Sequence, residues 1–206
     1  MRYILPILLS STLLVWLLYG TIDRDVIFYI DAHQDEQLKS IFEIITLIGD
    51  ATWWIVGSAG LWIYYHIKKD RYKMVRARFM FVAIITSGLI VNLLKMLFGK
   101  ARPDKLLDEQ IYGFEWFVDF TQYSMHGFPS GHTTLAFTVA TTLSFIAPRY
   151  TIYFLSIACM VAVSRVAVLY HYPTDIVAGA ALGATVSILL YNLGKISFKK
   201  RADEQH

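Results

Sequence analysis

The chain has 206 residues, of which 56% are hydrophobic and 17% are charged, and its formal net charge is +3. Soluble domains carry about 25% charged residues. Here the deficit is concentrated in long apolar stretches, which excludes an ordinary water-soluble protein and predicts an integral membrane protein. The single cysteine, Cys159, lies in an apolar stretch, so disulfide bonds, cysteine metal sites and thiol chemistry have no support.

Six apolar stretches are long enough to cross a bilayer as helices, for which roughly 20 residues are needed. In chain order they cover residues 3–20, 43–66, 77–98, 131–147, 151–170 and 174–194. The first is predicted to be an uncleaved span, because residues 18–21 offer no small-x-small cleavage site. No Pro/Gly/Ser-rich linker or internal repeat divides the chain. Residues 1–206 are therefore predicted to form a single all-α, integral-membrane domain with six transmembrane helices.

Basic residues are distributed unevenly between the two sides of these spans. Six lie within residues 68–78, after the second span, and four lie within residues 195–201, after the sixth. Arg2 and Arg149 fall on the same side. The positive-inside rule therefore predicts a multi-pass protein of the plasma (inner) membrane with both termini in the cytoplasm. The connections after the first, third and fifth spans then lie on the periplasmic or extracellular face.

Two longer connections are predicted on that outer face. Residues 21–42 mix carboxylates with apolar side chains and are expected to form a surface helix. Residues 104–128 are rich in aromatic side chains of the kind found at membrane interfaces. This second segment is an anchored connecting loop or, alternatively, a lid or an entrance for lipid tails.

Three polar clusters interrupt the apolar spans at their predicted outer ends, and the first contains Lys95, Arg102 and Pro103. Ionisable side chains at membrane depth are costly, and their default interpretation is a functional site. If the helix continues through Gly99, the seven-residue spacing places Lys95 and Arg102 on one face, and Pro103 then helps to end the helix. The alternative is a lysine that only extends its ammonium group to the interface.

The second cluster, Ser130-Gly131-His132, opens the fourth span. Ser130 is a plausible N-cap, and Gly131 allows close approach of a ligand to the backbone. The first N–H groups of a helix are unpaired and form an anion site, which His132 can also reach. Simple helix capping with an incidental histidine is the alternative.

The third cluster joins Arg165 to the segment His171–Asp175 at the start of the sixth span, where Pro173 suits the first helical turn. In a tight turn, the Asp175 carboxylate can accept the N–H of one His171 ring nitrogen. The other nitrogen is then unprotonated and nucleophilic, as in a catalytic His–Asp pair.

A metal site at His171 and Asp175 is disfavoured. The sequence offers no third ligand at metal-site spacing, and the three cations Lys95, Arg102 and Arg165 would repel a divalent ion.

Two further ionisable residues receive weaker interpretations: Asp50 is expected to have a structural role, and His126 is expected to be a loop histidine.

The three clusters resemble the signature motifs of the type 2 phosphatidic acid phosphatase (PAP2) superfamily and occur in the family's order. The matching residues are Lys95-x6-Arg102-Pro103, Pro129-Ser130-Gly131-His132 and Ser164-Arg165-x5-His171-x3-Asp175. The motif-bearing core covers about residues 90–180. The resemblance implies a six-helix membrane core and a bacterial membrane lipid phosphatase that uses no metal or other cofactor.

The resemblance also implies a role for each matching residue. His171 is expected to be the nucleophile that forms a phosphohistidine, Asp175 to orient it, and His132 to protonate the leaving oxygen. The residues expected to hold the phosphoryl oxygens are Lys95, Arg102, Ser130, Gly131 and Arg165. Such a site suits phosphoryl transfer, which depends mainly on positioning and charge stabilisation.

The sequence therefore predicts hydrolysis of a lipid phosphate or diphosphate on the outer face. Undecaprenyl diphosphate is the favoured substrate and phosphatidylglycerophosphate is close behind it. A lipid phosphotransferase or a lipid A 1-phosphatase using the same site is an alternative, and a phospholipid carrier or scramblase is the non-enzymatic one. The expected partners are the lipid substrate and the bilayer, with no nucleic acid, and the sequence leaves the oligomeric state open.

Overall fold

The computed structural model describes residues 3–119 and 121–203, with side chains described up to residue 194. This part of the chain is helical and contains no strand, which confirms the all-α fold class. The helices are α1 (Ile4–Thr21), α2 (Asp23–Ala32), α3 (Glu36–Thr46), α4 (Ala51–Ile67), α5 (Arg71–Phe98), α6 (Pro103–Glu109), α7 (Gly131–Ile146), α8 (Thr151–Ala167) and α9 (Pro173–Asp203). Arg2, and the side chains of the basic residues that follow the sixth predicted span, lie outside the described part.

Within the described residues, five helical segments are long and apolar enough to cross a membrane. They are Ile4–Thr21, Glu36–Ile67, Arg71–Phe98, Pro148–Ala167 and Pro173–Gly194. The predicted second span is thus longer than expected, because α3 and α4 follow each other through a single 3₁₀ turn. The polytopic character is confirmed, and the count of six is approximate because the remaining predicted span, α7, is short.

Helix α7 has 16 residues, a length of about 24 Å against a hydrocarbon core of about 30 Å. It can be short because it packs against α5, α8 and α9 and lies inside the bundle. Its buried side chains are mostly small or hydroxylated, and they are Thr133, Thr134, Leu135, Ala136, Thr138, Val139, Ala140 and Thr142.

Two glycines of α9 allow it to lie directly on the backbone of α7. A side chain at Gly179 would meet the Ser130 carbonyl oxygen at 2.7 Å, and one at Gly183 would meet the Thr138 nitrogen at 2.8 Å. Such glycines, four residues apart, are a common means of close helix packing in membranes. The Ser187 hydroxyl adds a hydrogen bond of 3.2 Å to the Thr138 carbonyl. This contact fixes the start of α7 against the start of α9.

The third predicted span, 77–98, ends where α5 ends, and the alternative of a helix that continues through Gly99 is not realised. The helix ends at Phe98, and Gly99 takes a left-handed conformation (φ 46°) that caps it with a bond to the Lys95 carbonyl. A side chain at Gly99 would collide with the Glu115 carbonyl and with Val118. Pro103, which would have ended such a continued helix, instead begins α6.

The two connections have different structures. Residues 21–42 contain α2, as expected, together with the start of α3. In the segment 104–128, helix α6 is followed by a loop that is hydrogen-bonded to the end of α5, with Val118 N donating to Met96 O at 2.9 Å. This anchors the loop, in agreement with the first of its two interpretations. Phe120, one of its aromatic residues, lies outside the described residues.

Asp50 has a structural position, as expected. It is the N-cap of α4, and its carboxylate accepts a hydrogen bond of 2.7 Å from Thr52 N.

The packing of α9 on α7 gives a first prediction. Gly183→Ala places a methyl group against the α7 backbone, so the melting temperature of the purified protein in detergent should fall by roughly 5 °C. Gly60→Ala in α4 is the matched control, because nothing lies within 4 Å of that position, and it should not lower the melting temperature. Equal stability of the two variants would contradict this account of the helix contact.

Candidate active site

The three predicted clusters lie together at one end of the bundle, where one hydrogen bond joins the second to the third. Ser130 N, in the second cluster, donates to Asp175 O, in the third, at 3.0 Å. Lys95 lies close enough to Arg102, Asp175 and Arg165 for electrostatic interaction. All the predicted site residues except Gly131 and His132 are buried, and those two are partly exposed. The predicted set therefore forms a single site.

Lys95 and Arg102 converge although α5 ends between them. Lys95 Nζ donates to the His126 carbonyl oxygen at 2.6 Å, and Arg102 Nη2 donates to the same oxygen at 3.3 Å. His126 is a loop histidine, as expected, but its backbone holds both cations. Burial, together with the charge of Lys95, lowers the pKa of its imidazole.

Each of the two arginines is stacked on a tyrosine that the sequence analysis missed. The Arg102 guanidinium lies 4.0 Å from the centre of the Tyr123 ring, and that of Arg165 lies 4.5 Å from the Tyr170 ring. Arg165 Nη1 also donates to Thr46 Oγ1 at 2.8 Å. Stacking orients the planar guanidinium while leaving its N–H edge available.

Several of these N–H groups are buried without a partner among the described residues. They are Arg102 Nε, Arg102 Nη1 and Arg165 Nε. Buried donors are nearly always hydrogen-bonded, and leaving a charged donor unpaired is costly. Guanidinium groups bind phosphate oxygens well. These unpaired donors are therefore the groups that a bound phosphate would satisfy.

The start of α7 adds a helix N-terminus to the same site. Ser130 is its N-cap, as predicted, and accepts from Thr133 N. The unpaired N–H groups of the first turn favour an anion. His132 lies in this turn against Gly49, whose missing side chain leaves room for the imidazole, and it interacts electrostatically with Arg165 and Lys95.

His171 and Asp175 form the predicted pair. His171 Nδ1 lies 3.4 Å from Asp175 Oδ2, which also accepts from Tyr172 N at 2.9 Å. Complete burial lowers the pKa of His171 to about 3, although the neighbouring Asp175 acts in the opposite direction. The imidazole is thus neutral near neutral pH. With its proton on Nδ1, facing the carboxylate, Nε2 carries a free lone pair.

An apolar cavity of about 390 Å³ adjoins these polar groups. Its polar end is formed by Lys95, Gly131 and His132, and its walls include Ile55 of α4 and Ile84 of α5. A molecule with a phosphate and a hydrocarbon chain could place the first among the cations and the second between the helices.

Sequence reasoning did not assign a role to Asp23, Lys100 or Thr174, which lie directly behind Asp175. Lys100 Nζ donates to Asp175 Oδ1 at 2.8 Å, and all the side chains of this group are buried. A signal was present, since Asp23 and Lys100 are ionisable residues next to the ends of apolar spans. Their partners, however, are distant in the sequence.

No three His, Cys, Asp or Glu side chains within the described part of the chain are grouped as the ligands of a metal ion. His171 Nδ1 and Asp175 Oδ2 lie within hydrogen-bonding distance of each other, at 3.4 Å. That the reaction needs no metal ion stays a prediction.

The burial of His171 gives a prediction for its protonation. Since its folded pKa of about 3 lies below the ordinary value of 6.5, protons bind preferentially to the unfolded chain. Burial of this group therefore costs stability as the pH falls below the ordinary value. In ¹⁵N-histidine NMR spectra, His171 should remain neutral, with its proton on Nδ1, at about pH 5. Titration of the His171 signals near the ordinary value would contradict the described burial.

Comparison with known proteins agrees with the motifs. The PAP2 superfamily profile matches residues 76–198. The chain is 34% identical over 164 residues to the lipid A 1-phosphatase of Rhizobium johnstonii, covering 74% of this chain and 66% of that protein, just under two thirds of its length. It is 29% identical over 162 residues to the undecaprenyl-diphosphatase of Sulfolobus acidocaldarius, and the match covers 78% of this chain and 72% of that protein.

The fold is also similar to that of a solved structure. The crystal structure of a transmembrane PAP2-type phosphatidylglycerolphosphate phosphatase from Bacillus subtilis superimposes with a TM-score of 0.71 at 21% identity, covering 95% of this chain and 97% of that one. The family resemblance predicted from the three motifs is confirmed, and the chain is a membrane protein that belongs to the PAP2 superfamily.

Proposed function

We propose that this protein is a metal-independent lipid phosphatase that acts through a phosphohistidine at His171. The observation that carries the proposal is the set of unpaired, buried guanidinium N–H groups of Arg102 and Arg165. They lie in one site with a neutral, buried histidine and beside an apolar cavity. A lipid phosphate matches both the polar and the apolar part of this arrangement.

Binding places the phosphoryl oxygens among fixed charges. Lys95, Arg102 and Arg165 supply three cations, and the first turn of α7, after Ser130 and Gly131, supplies backbone N–H groups. A loose phosphoryl-transfer transition state carries its charge on these oxygens, so positioned donors stabilise it directly. Each charge-assisted hydrogen bond contributes roughly 1.5–3 kcal/mol.

The chemistry then proceeds in two steps. His171 Nε2 attacks phosphorus, the bond from phosphorus to the lipid oxygen breaks, and His132 gives its proton to that oxygen. In the second step the now neutral His132 takes a proton from water, whose oxygen attacks the phosphohistidine and releases phosphate. Asp175 holds the His171 Nδ1–H throughout and stabilises the positive charge of the phosphorylated ring.

The substrate class is a membrane lipid with a terminal phosphate or diphosphate. Sequence reasoning favoured undecaprenyl diphosphate, followed by phosphatidylglycerophosphate. The similarity to a lipid A 1-phosphatase, at 34% identity, supports lipid A 1-phosphate as the first candidate. The undecaprenyl-diphosphatase relative, at 29% identity, supports undecaprenyl diphosphate as the second.

A panel of purified lipid phosphates tests the function. Phosphate release should be observed in excess EDTA, with kcat/KM for the preferred lipid at least about tenfold above the others. Transfer of the phosphoryl group to a second lipid instead of water would replace the phosphatase by a phosphotransferase. Binding of these lipids without turnover would favour a carrier or scramblase.

The nucleophile assignment gives a sharper prediction. His171→Gln keeps a side chain of similar size but cannot form the phosphohistidine, so kcat should fall by on the order of 10³-fold or more. His66→Gln, at the far end of α4, is the matched control and should be as active as the unaltered protein. Near-normal activity of His171→Gln would remove His171 from this role.

We also propose that the site faces the periplasm or the extracellular medium and that both termini are cytoplasmic. The support is the basic segment 68–78. It lies at the start of α5, whereas the site lies at the other end of this helix. In a Cys159→Ala background, a cysteine at exposed Glu109 should react with an impermeant maleimide added to intact cells. A cysteine at exposed Lys68 should react only after lysis, and the reverse pattern would contradict the orientation.

A further inference from the structure

A second buried ionic cluster lies against the carboxylate oxygen of Asp175 that does not face His171. Lys100 Nζ donates to Asp175 Oδ1 at 2.8 Å and to Asp23 Oδ2 at 2.9 Å, and all three side chains are 0% exposed. It also donates to Thr174 Oγ1 at 2.6 Å. An ammonium group has three N–H donors, so each donor of Lys100 has a defined acceptor.

Both carboxylate oxygens of Asp23 also accept hydrogen bonds from neighbouring groups. Its Oδ1 accepts from Thr174 N at 3.0 Å, and its Oδ2 accepts from the Thr174 hydroxyl at 2.5 Å and the Tyr112 hydroxyl at 3.2 Å. Asp23 is the first residue of α2 and lies outside the family match at residues 76–198. The helix that follows the first, poorly buried span therefore places a charged group behind Asp175.

The sharing of Lys100 between two carboxylates determines the charge available to His171. A lysine paired with Asp175 alone would neutralise it, whereas Lys100 also compensates Asp23. One negative charge of the three-residue group thus remains uncompensated, next to the imidazole. That charge is needed when the ring becomes cationic on accepting the phosphoryl group.

We propose that Lys100 and Asp23 are a positioning pair for the His171–Asp175 unit. Lys100 fixes the Asp175 carboxylate in its ionised form, with Oδ2 towards His171, and Asp23 fixes Lys100 and takes up part of its charge. This inference rests on the proposed function, because it concerns the nucleophile assigned there. Neither residue touches the substrate.

The acid limb of the pH–rate profile should report protonation of the coupled His171–Asp175 pair, and other ionisable groups surround this carboxylate. The ionisable groups near Asp175 and Lys100 come from several elements of the fold. They are Tyr19 of α1, Asp23 of α2, Lys95 of α5, Lys100 after α5, Tyr112 after α6, and His171 and Tyr172 before α9. Among them, only Lys100 makes an ion pair with both carboxylates. Its removal leaves two buried carboxylates without a cation between them, so that one of them must take up a proton.

The test compares Lys100→Met with Lys100→Met/Asp23→Asn. In Lys100→Met, kcat should fall about 100-fold with KM changed less than about threefold, because the phosphate-binding cations are intact. The midpoint of the acid limb should rise by about one pH unit or more, because a proton now competes for Asp175. The second substitution removes the competing carboxylate, so it should recover about tenfold in kcat and move the limb back towards its original position.

Lys105→Met is the matched control, since Lys105 pairs with Glu109 at the surface in the same region, and it should leave both kcat and the pH profile unchanged. A purely structural role of Lys100 would lower the amount of active protein but leave the acid limb where it was. That result would overturn the proposal, as would normal kcat in Lys100→Met.

If Lys100→Met does not fold, the proposal can still be tested with the double variant. In that variant Asp23→Asn removes the carboxylate that would otherwise lose its lysine partner. Its kcat and acid limb should lie between those of the unaltered protein and the values expected for Lys100→Met, and values equal to the unaltered protein would overturn the proposal. Activity of His171→Gln would instead overturn the proposed function. The two failures are thus distinguishable.

Discussion

The cost of burying charge governs the active-site end of this bundle. An isolated ion in a low-dielectric interior costs several kcal/mol even after relaxation, and removing one partner of a buried pair typically costs about 3–5 kcal/mol. Here Lys100 lies between the carboxylates of Asp23 and Asp175, all completely buried. The positions of α2, α9 and the segment after α5 at this end therefore depend on one another. The same interaction sets the orientation of Asp175 and, through it, that of His171.

The short helix α7 connects this ionic cluster to the proposed phosphate site. Helix α7 is held against α9 at Gly179 and Gly183, where the two backbones are nearly in contact, and its N-cap, Ser130, donates its N–H to the Asp175 carbonyl. The first turn of α7 and the His171–Asp175 pair are thus joined directly by this hydrogen bond. Preorganised donors of this kind cost no reorganisation when charge develops in a transition state, which is why they are effective in catalysis.

The sequence allowed the three clusters, the all-α class and the membrane location to be predicted, because each motif residue carries its own chemical signature. The third predicted span ended at residue 98, as α5 does, but the sequence left open whether helix continued through Gly99, since a glycine near a helix end is compatible with continuation until the Glu115 backbone packs against it. The pairing of Lys100 with Asp23 joins residues 77 positions apart, and no local pattern reveals such a contact. The roles assigned to the site residues stay predictions until they are tested by experiment.

The central claim, covalent phosphorylation of His171, is tested most directly by trapping the intermediate. In His132→Gln, an aryl phosphate should still phosphorylate the enzyme, because its leaving group departs without a proton, whereas activation of water is impaired and the phosphoenzyme accumulates. Rapid quenching in base followed by peptide mass spectrometry should find the phosphoryl group on Nε2 of His171. Release of the aryl alcohol without any phosphorylated His171, or with the label on another residue, would contradict the account.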